Sequence, residues 1–346
     1  MQRIRCVFMG TAAIACPSLK ALVGWAGAEV VGVVTQPDRP AGRHLRPQPS
    51  PVKQLAGVCG LPVLQPEKVR EAGFLEALRA WGPELIVVMA YGQILPASVL
   101  DLPRYGCVNV HASLLPKYRG AAPIQWALVR GETETGVTIM LMDEGMDTGP
   151  ILSQRRIRID PDDTAGTLHD RLAVLGAELL LETLPGYVAG RIVPRPQPLE
   201  GISYAPRLRK ADGLLDWTLS ARELWLRIRA FDPWPGAFTW WWRQDPLAGG
   251  QASVATLGGG VAARQARPVL LKVWRAAVEP RTGPAGEILE VDARGVVVGC
   301  GQEALRLLEV QAEGGRRMGI AEFLSGHPMR RGDRLGGPAE GTSVTI

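Results

Sequence analysis

Short apolar runs separated by helix-like segments dominate the first half of the chain. Three of these runs have lengths typical of buried strands: residues 4–9, 29–35 and 85–90. The turn Gly10-Thr11 follows the first run, and a segment with helical periodicity extends from Pro17 to about residue 25. This order predicts a doubly wound, mostly parallel α/β domain. The turn lacks the G-x-G-x-x-G fingerprint, which argues against a nicotinamide enzyme.

Polar side chains interrupt a further apolar run, in residues 107–120. This stretch begins as a strand and ends as a loop that contains Pro116 and Gly120. Asn109 and His111 are two residues apart, so on a strand both side chains point to the same face. An amide and an imidazole at a strand end can stabilise an oxyanion and transfer a proton. The alternative is that both are buried groups satisfied by backbone hydrogen bonds.

A second polar loop follows the strand that is predicted for residues 135–142. Residues 143–150 contain three acids and two glycines. Ligand sites of open α/β sheets form where strands end and loops begin, so this loop belongs to the same predicted region. Further along, residues 164–183 predict a long amphipathic helix, with Asp162 or Asp163 as its cap.

Residues 36–53 form a proline-rich, basic stretch inside the predicted α/β domain. Prolines at this density argue against a helix or a central strand, so the stretch is predicted to be a long loop. Such a loop in a compact domain is either functional or a solvated surface segment. Its cationic side chains are Arg39, Arg43, His44, Arg46 and Lys53.

The composition changes after about residue 184. Closely spaced prolines and the basic residues 207–210 indicate a linker. A helix is predicted for residues 220–231, and short strand-like pieces separated by glycines follow it: 270–274, 287–291, 295–300 and 304–310. Many short strands with glycine turns predict a small all-β sandwich or barrel. The tail beyond about residue 334 is expected to fray.

Composition sets limits on this picture. A chain of 346 residues with 46% hydrophobic residues indicates two folded domains, or one large domain with an extension. A net charge of +5 is compatible with a polyanionic partner without establishing one. The five cysteines are odd in number and lack C-x-x-C spacing, which argues against a disulfide framework and a zinc site. Without a visible signal peptide or membrane-spanning segment, a soluble cytoplasmic protein is expected.

Two stretches together resemble the signature of the methionyl-tRNA formyltransferase family. Residues 108–125 read VNVHASLLPKYRGAAPIQ, and residues 142–151 read MDEGMDTGPI. The likeness extends to about residue 326, through Gly10-Thr11 and residues 36–43, 204–206 and 311–318. The two signature stretches are shared by folate-dependent formyltransferases that act on other amines, whereas the basic loop and the C-terminal half point to tRNA. After Arg43 the chain reads His-Leu-Arg-Pro, where the family is often richer in lysine.

The resemblance implies formyl transfer from 10-formyltetrahydrofolate to the methionine α-amino group of initiator methionyl-tRNA, without a metal. Asn109 and protonated His111 would donate to the oxyanion that forms when the amine attacks. Asp147 would accept the amine's proton or hold His111 in the useful tautomer, and the alternative for Asp147 is an Asx turn or helix cap. The expected folate contacts are Tyr91, Ser113, Leu114, Leu115, Pro116 and Met146.

Composition and resemblance together divide the chain. Residues 1–184 are expected to form a Rossmann-like catalytic domain, and residues 185–211 a linker. Residues 212–334 are expected to form an OB-like barrel that binds tRNA, followed by a frayed tail at 335–346. A monomer without a membrane partner is expected. The candidate tRNA contacts are basic: Arg43, His44, Arg46, Arg207, Arg209, Lys210, Arg316 and Arg317.

Three other functions stay open at the level of sequence. The same catalytic groups can serve formyl transfer to a different amine, such as a nucleotide sugar. With water as the acceptor they can hydrolyse formyltetrahydrofolate. The third alternative is a non-catalytic RNA-binding protein on an enzyme scaffold, and the presence of Asn109, His111 and Asp147 argues against it.

Overall fold

A computed structural model describes residues 3–41, 46–243 and 268–337. The chain divides into two compact units. The first comprises the chain up to Ala127 together with Glu132–Arg207, and the second comprises Leu128–Gly131 and the chain from Leu208 onward. Each unit has its own sheet and its own buried core.

The first unit is an α/β layer structure. Its strands are β1 (Ile4–Gly10), β2 (Ala28–Val34), β3 (Arg39–Ala41), β4 (Arg46–Gln48), β5 (Val63–Leu64), β6 (Leu85–Met89), β7 (Cys107–His111), β8 (Glu134–Leu141) and β9 (Ile151–Arg158). The helices along this part of the chain are α1 (Cys16–Gly24), α2 (Pro51–Val58), α3 (Ala72–Ala80), α4 (Ala97–Leu100), α5 (Pro123–Val129) and α6 (Ala165–Val188). Seven strands form one sheet in the order β5-β2-β1-β6-β7-β8-β9.

The sheet is parallel from β5 to β7, and β8 and β9 run antiparallel at one side. Every residue of β6 and β7 is buried, as expected for central strands covered on both faces. Because β1, β6 and β7 are parallel, their carboxyl ends meet at one edge of the sheet. That edge therefore brings together the turn after Gly10, the residues after Met89 and the loop after His111.

The stretch 36–53 differs from its prediction as a single loop. Strands β3 and β4 form a two-stranded antiparallel ribbon, and α2 begins at Pro51. Ser50 caps this helix, because its hydroxyl oxygen accepts the Lys53 N–H at 3.0 Å. Proline is favoured at the first helical position, where no N–H is required. The prediction treated every proline of this stretch as a helix breaker and did not apply the exception it made for Pro17.

The helix α6 also departs from the sequence prediction. Its N-cap is Thr164, not Asp162 or Asp163, because the Thr164 hydroxyl oxygen accepts the N–H of the third helical residue at 3.3 Å. The helix continues through Pro185, which lacks a hydrogen-bond donor. Leu184 is completely buried, so packing of this last part of the helix outweighs the missing hydrogen bond.

The second unit is built on antiparallel strands. They are β10 (Ala237–Trp242), β11 (Val269–Glu279), β12 (Ile288–Asp292), β13 (Gly295–Gly299), β14 (Ala304–Ala312), β15 (Met318–Gly319) and β16 (Arg334–Gly336), with the helices α7 (Ala221–Ala230) and α8 (Ile320–Gly326). The sheet order is β12-β13-β14-β11-β10-β16, and β15 pairs with β14. An isolated bridge between Glu287 and Arg334 links its two ends. The sheet therefore curls into a barrel-like form around buried Trp241 and Phe323.

These two architectures confirm the predicted fold class. The first unit has a mostly parallel, doubly wound, Rossmann-like sheet, and the second is a smaller, curled antiparallel sheet of the OB-like kind. Within the described residues, no helix combines the length and the apolar character needed to cross a membrane.

Candidate active site

Asn109 and His111 lie on one face of β7, with only 9% and 6% of their surfaces exposed. Strand β7 is an interior strand of the sheet, between β6 and β8. The alternation of a strand sends the apolar neighbours Val108 and Val110 to the other face. The strand thereby holds these two polar side chains next to each other in a largely buried position.

Asp147 approaches this pair from the loop between β8 and β9. Its Oδ1 accepts a hydrogen bond from Asn109 Nδ2 at 3.3 Å, and its Oδ2 accepts one from the Gly120 N–H at 2.8 Å. The same Oδ2 lies 3.6 Å from His111 Nδ1. The loop thus brings together the three side chains to which the resemblance gives catalytic roles, and Asp147 is not merely a turn residue.

A backbone carbonyl holds the other side of the His111 ring. Its Nε2 lies 3.0 Å from the carbonyl oxygen of Tyr118, which can only accept, so Nε2 carries a hydrogen. In the neutral ring Nδ1 is then unprotonated, and it faces Asp147 at a distance too long for a hydrogen bond. When Nδ1 takes up a proton, it gains an N–H that faces a carboxylate. The ring therefore has a partner in both protonation states.

Gly120 is required by the close approach of the chain at this point. It has φ +120°, and a Cβ added to it would lie 2.7 Å from the carbonyl oxygen of Ala205. Any other residue would have to displace backbone, and the Gly120 N–H would move away from Asp147. The glycine thus allows one backbone donor to reach the carboxylate.

The loop after β7 is held by internal hydrogen bonds. The Ser113 hydroxyl is completely buried and donates to the carbonyl oxygen of Lys117 at 2.6 Å. Thr138 Oγ1 donates to the Ser113 carbonyl oxygen at 2.7 Å and accepts the Leu115 N–H at 3.1 Å. Gln154 Nε2 donates to the Leu115 carbonyl oxygen at 2.8 Å. Ser113 and Leu115 therefore fix the loop's shape, whereas Leu114 and Pro116 keep partly exposed surfaces.

Tyr91 and Met146, two further predicted folate contacts, have opposite environments. Tyr91 packs in the apolar core of the first unit, and its hydroxyl has no hydrogen-bond partner in the described residues. Burial accordingly raises the pKa of Tyr91 above its ordinary value. Met146 is 55% exposed, and its Sδ lies close to Gly120. Met146 therefore has exposed surface that a ligand can contact, whereas the Tyr91 side chain is part of the core next to the end of β6.

A returning segment, residues 195–206, completes the site; we call it the strap. It pairs with the start of β9 through Arg195 and Ile151. The Tyr118 N–H donates to Ser203 Oγ at 2.9 Å, and the Ala205 N–H donates to the Arg119 carbonyl oxygen at 2.7 Å. These residues fall inside the predicted linker. The resemblance included residues 204–206, but sequence reasoning gave no site role to any strap residue, because contacts such as Ser203 to Tyr118, 85 residues apart, form no local pattern.

One strap side chain reaches the Asp147 loop itself. Gln197 Nε2 donates to the carbonyl oxygens of Asp147 and Gly149, each at 2.8 Å. Its Oε1 accepts from Arg119 Nη2 at 2.7 Å and Arg119 Nε at 3.2 Å. Neither Gln197 nor Arg119 was among the residues predicted for the site.

The candidate tRNA contacts have diverse surroundings. Arg43 and His44 lie outside the described residues, and Arg46 belongs to β4. Arg207, Arg209 and Lys210 are exposed. Arg316 is also exposed and pairs with Glu322. Arg317 is held between two carboxylates and lies 5.1 Å above the Trp274 ring.

A polar cluster anchors the β3–β4 ribbon, whose two strands lie on either side of Arg43 in the sequence. Lys53 Nζ lies 2.7 Å from Asp38 Oδ2, and Gln65 Nε2 lies 2.7 Å from Asp38 Oδ1. The hydrogen bonds from Lys53 and Gln65 hold the pKa of the Asp38 carboxyl below its usual value.

The described part of the chain contains no group of three or more His, Cys, Asp or Glu side chains suited to a metal ion.

The chain matches known protein families in both of its units. A family model described as formyl transferase matches residues 4–184, and one described as formyl transferase, C-terminal domain, matches residues 207–328. The fold and site therefore define a formyl-transferring enzyme. The methionyl-tRNA formyltransferase of Geobacter sulfurreducens is 48% identical over 336 residues, covering 97% of this chain and 98% of that protein. The protein of the same name from Myxococcus xanthus is 48% identical over 334 residues, covering 96% and 98%.

The chain belongs to the methionyl-tRNA formyltransferase family, as the signature stretches indicated. Solved structures share its fold at low identity. An N-formyltransferase from Helicobacter canadensis, in complex with folinic acid and dTDP-3-aminofucose, has a TM-score of 0.56 and 16% identity, covering 88% of this chain and 99% of that chain. HypX from Aquifex aeolicus, in complex with tetrahydrofolic acid, has a TM-score of 0.55 and 18% identity, covering 93% of this chain and 47% of that chain.

Proposed function

We propose that this enzyme transfers the formyl group of 10-formyltetrahydrofolate to the α-amino group of methionine on initiator tRNA, as a cytoplasmic monomer. The observation that carries the proposal is the contact among Asn109, His111 and Asp147 at the end of β7. Relatives 48% identical over nearly the whole chain are methionyl-tRNA formyltransferases. The nucleotide-sugar alternative has weaker support, because the sugar-modifying neighbours are only 16–22% identical and share the fold alone.

Asn109 and His111 stabilise the charge that develops during transfer. Asn109 gives one amide hydrogen to Asp147, which leaves its second amide hydrogen for the formyl oxygen. As the amine attacks, negative charge grows on that oxygen, and protonated His111 donates to it from Nδ1. Removal of one such donor typically lowers the rate by about 10²–10³-fold.

Asp147 manages the proton of the attacking amine. The amine nitrogen forms a bond to the formyl carbon, and Asp147 takes the proton that this nitrogen loses, directly or through one water. The bond from the formyl carbon to folate N10 then breaks, and the same proton is delivered to N10. No net proton is consumed. The Gly120 N–H and the Asn109 amide keep the carboxylate aimed at this path.

The folate donor is proposed to lie along residues 113–116. Leu114 and Pro116 keep partly exposed apolar surface there, and Met146 exposes more than half of its side chain beside Gly120. Apolar walls with a few polar backbone groups suit a flat ring system. Ser113, Leu115 and Tyr91 contribute by shaping the loop and the strand end, since their side chains are buried.

The tRNA is proposed to contact two sets of basic residues. In the sequence, Arg43 and His44 lie between the two strands of an anchored ribbon and Arg46 belongs to its second strand, and the three are proposed to reach the acceptor end. Exposed Arg207, Arg209, Lys210 and Arg316 are proposed to contact phosphates. Arg317 has its two terminal nitrogens bound to carboxylates, so its contribution is chiefly structural.

The decisive test is incubation of the full-length chain with 10-formyltetrahydrofolate and charged methionyl-tRNA. We expect formyl-methionine on the initiator tRNA and much less on an elongator methionyl-tRNA. Formylation of an amino sugar nucleotide in preference to tRNA, or formate release without an amine acceptor, would overturn the proposal.

A second test addresses the basic loop. Arg43→Ala should lower kcat/KM for initiator tRNA, and the fall should correspond to a loss of about 1–3 kcal/mol in transition-state binding, the range for one bidentate contact. Binding of a folate analogue should persist. Arg43→Lys and Arg46→Ala are the matched variants. If Arg43→Lys equals wild type and Arg46→Ala is as damaging as Arg43→Ala, the loop supplies only non-specific charge.

A further inference from the structure

We propose that Gln197 is a positioning residue, which, anchored by Arg119, holds the main chain of Asp147 in the conformation that catalysis requires. The inference rests on the proposed function, because it gives Asp147 a role in the transfer step. It assigns a functional contribution to a segment whose composition indicated only a linker.

The amide of Gln197 is oriented by all of its partners. Its two Nε2 hydrogens go to two carbonyl oxygens, those of Asp147 and Gly149, each at 2.8 Å. Its Oε1 accepts from the Arg119 guanidinium at 2.7 and 3.2 Å. A flipped amide would place Oε1 against two carbonyl oxygens and Nε2 against a cation, so only one orientation satisfies every group. Gln197 therefore binds both ends of the short segment 147–149.

The main chain at Asp147 needs such a clamp. Asp147 has φ +53°, in the left-handed region that residues other than glycine rarely adopt. Backbone outliers of this kind persist where the surrounding structure holds them. If the segment relaxed, the carboxylate would move away from Asn109, Gly120 and His111 together, because all three contacts depend on the direction of one side chain.

Arg119 closes a ring of contacts around the carboxylate. Its guanidinium is buried and makes no ion pair within the described residues, so the Gln197 carbonyl is its side-chain acceptor. The next residue, Gly120, donates its N–H to Asp147 Oδ2. One peptide region thus holds the Asp147 side chain directly and, through Gln197, the Asp147 main chain. A neutral amide suits this role, since an acid here would pair with Arg119 but could not donate to the two carbonyls.

Two substitutions separate the clamp from its anchor. Gln197→Met keeps the length of the side chain and removes every hydrogen bond. Gln197→Glu keeps acceptors for Arg119 and removes both donors to the Asp147 loop. Both variants should lower kcat by about 10–100-fold, as expected for misplacement of a catalytic group by about 1 Å. The KM values for 10-formyltetrahydrofolate and initiator tRNA should stay within about twofold of wild type, because no substrate contact is removed.

A control and a double variant distinguish positioning from general damage. Trp126→Phe removes another hydrogen bond to the strap, from Trp126 Nε1 to the Pro206 carbonyl oxygen at 2.9 Å, and should leave kcat within about twofold. In single-turnover formylation, Asp147→Ala with Gln197→Met should be no slower than Asp147→Ala alone, because Gln197 acts through Asp147. Thermal melting and binding of a folate analogue identify the folded variants.

The outcomes separate the two levels of inference. If the wild-type chain makes no formyl-methionine, the proposed function fails. If wild type is active, three results each overturn the role of Gln197: full kcat in Gln197→Met, full kcat in Gln197→Glu, or losses that multiply in the double variant. Should Gln197→Met fail to fold, the kcat of folded Gln197→Glu decides the question by itself.

Discussion

Each unit contains a buried polar cluster, and the two clusters differ in how their charges are paired. In the second unit, the Arg306 guanidinium on β14 hydrogen-bonds to the carboxylates of Glu279 on the adjacent strand β11 and of Asp292 on β12, two strands away on the other side. In the first unit, His111 Nδ1 and Asp147 Oδ2 face each other at 3.6 Å without a hydrogen bond. Charges paired at short range are committed to the fold, whereas an open imidazole–carboxylate pair stays available to a substrate proton.

The surroundings of the open pair are nevertheless well ordered. Asp147 is held by Asn109 and Gly120, and His111 is held by the Tyr118 carbonyl. Only His111 Nδ1 and Asp147 Oδ2, which face each other, are left without a direct bond between them. Burial and hydrogen bonding therefore do not by themselves mark a site. The informative feature is an imidazole–carboxylate pair whose partners orient it without neutralising it.

The largest effect is expected from breaking the open cluster. His111→Ala and Asn109→Ala should each lower kcat by about 10²–10³-fold, since each removes a donor that acts in the transition state. Their KM values should change little, and their free energies of unfolding should fall by only about 1–2 kcal/mol, the cost of one lost buried hydrogen bond. Single-turnover formylation and urea denaturation measure the two quantities. Near-normal turnover in His111→Ala would contradict the mechanism.

The paired cluster should show the opposite behaviour. Arg306→Met leaves two carboxylates without their cation, and removing one member of a fully buried pair costs about 3–5 kcal/mol. Because Glu279 and Asp292 are 24% and 25% exposed, we expect a loss of about 2–3 kcal/mol in the free energy of unfolding. The kcat per folded molecule should be unchanged.

Arg294→Met is the matched control for this variant. Arg294 pairs with the same Asp292, but its side chain is largely exposed. Urea unfolding should show a much smaller change, because solvent screens this pair. Equal losses for Arg294→Met and Arg306→Met would show that burial does not distinguish the two pairs.

Arg316 and Arg317 repeat the contrast on adjacent residues. Arg317 binds Asp232 and Glu309, so Arg317→Ala should lower the free energy of unfolding by about 1 kcal/mol. Arg316 is more exposed, so Arg316→Ala should instead weaken tRNA binding and reduce the salt-dependence slope by about 1. Urea unfolding and tRNA titration at several salt concentrations test the pair. Exchange of the two phenotypes would reverse the assignment.

The smallest expected effect concerns pH. The Arg306 hydrogen bond holds the pKa of Glu279 below its ordinary value of 4.5, so ionised Glu279 stabilises the fold at neutral pH. This contribution is lost as the pH falls below about 4.5, through the folded-state pKa. Glu279→Gln should cost at most about 1 kcal/mol at pH 7, because the carboxylate is partly exposed.

Urea unfolding of wild type and Glu279→Gln between pH 7 and pH 3 provides the measurement. The difference between the two proteins should shrink towards acid pH, where Glu279 in wild type becomes protonated. A difference that stays constant over this range would show that the charge of Glu279 does not stabilise the second unit.

The sequence indicated the parts of the site that depend on local patterns. The period of two placed Asn109 and His111 on one face, and the polar loop after the next strand supplied three acids, among which the family resemblance singled out Asp147. The position of Gln197 depends on how the strap folds back onto the site. Gln197 lies 50 residues from Asp147 and 78 from Arg119 in the sequence, and no periodicity connects residues so far apart. The same limit applies to the barrel, where Arg306 meets Glu279 only after β11 and β14 pair.

The strap has a consequence for how such enzymes are recombined in evolution. The two family models match residues 4–184 and 207–328, so the strap lies in the interval between them. A gene fusion that copied only the first matched region would transmit Asn109, His111 and Asp147 without Gln197 and Ser203. With Gln197 positioning Asp147 as proposed, the heritable unit of this chemistry is longer than its recognisable signature and includes a stretch that looks like a spacer.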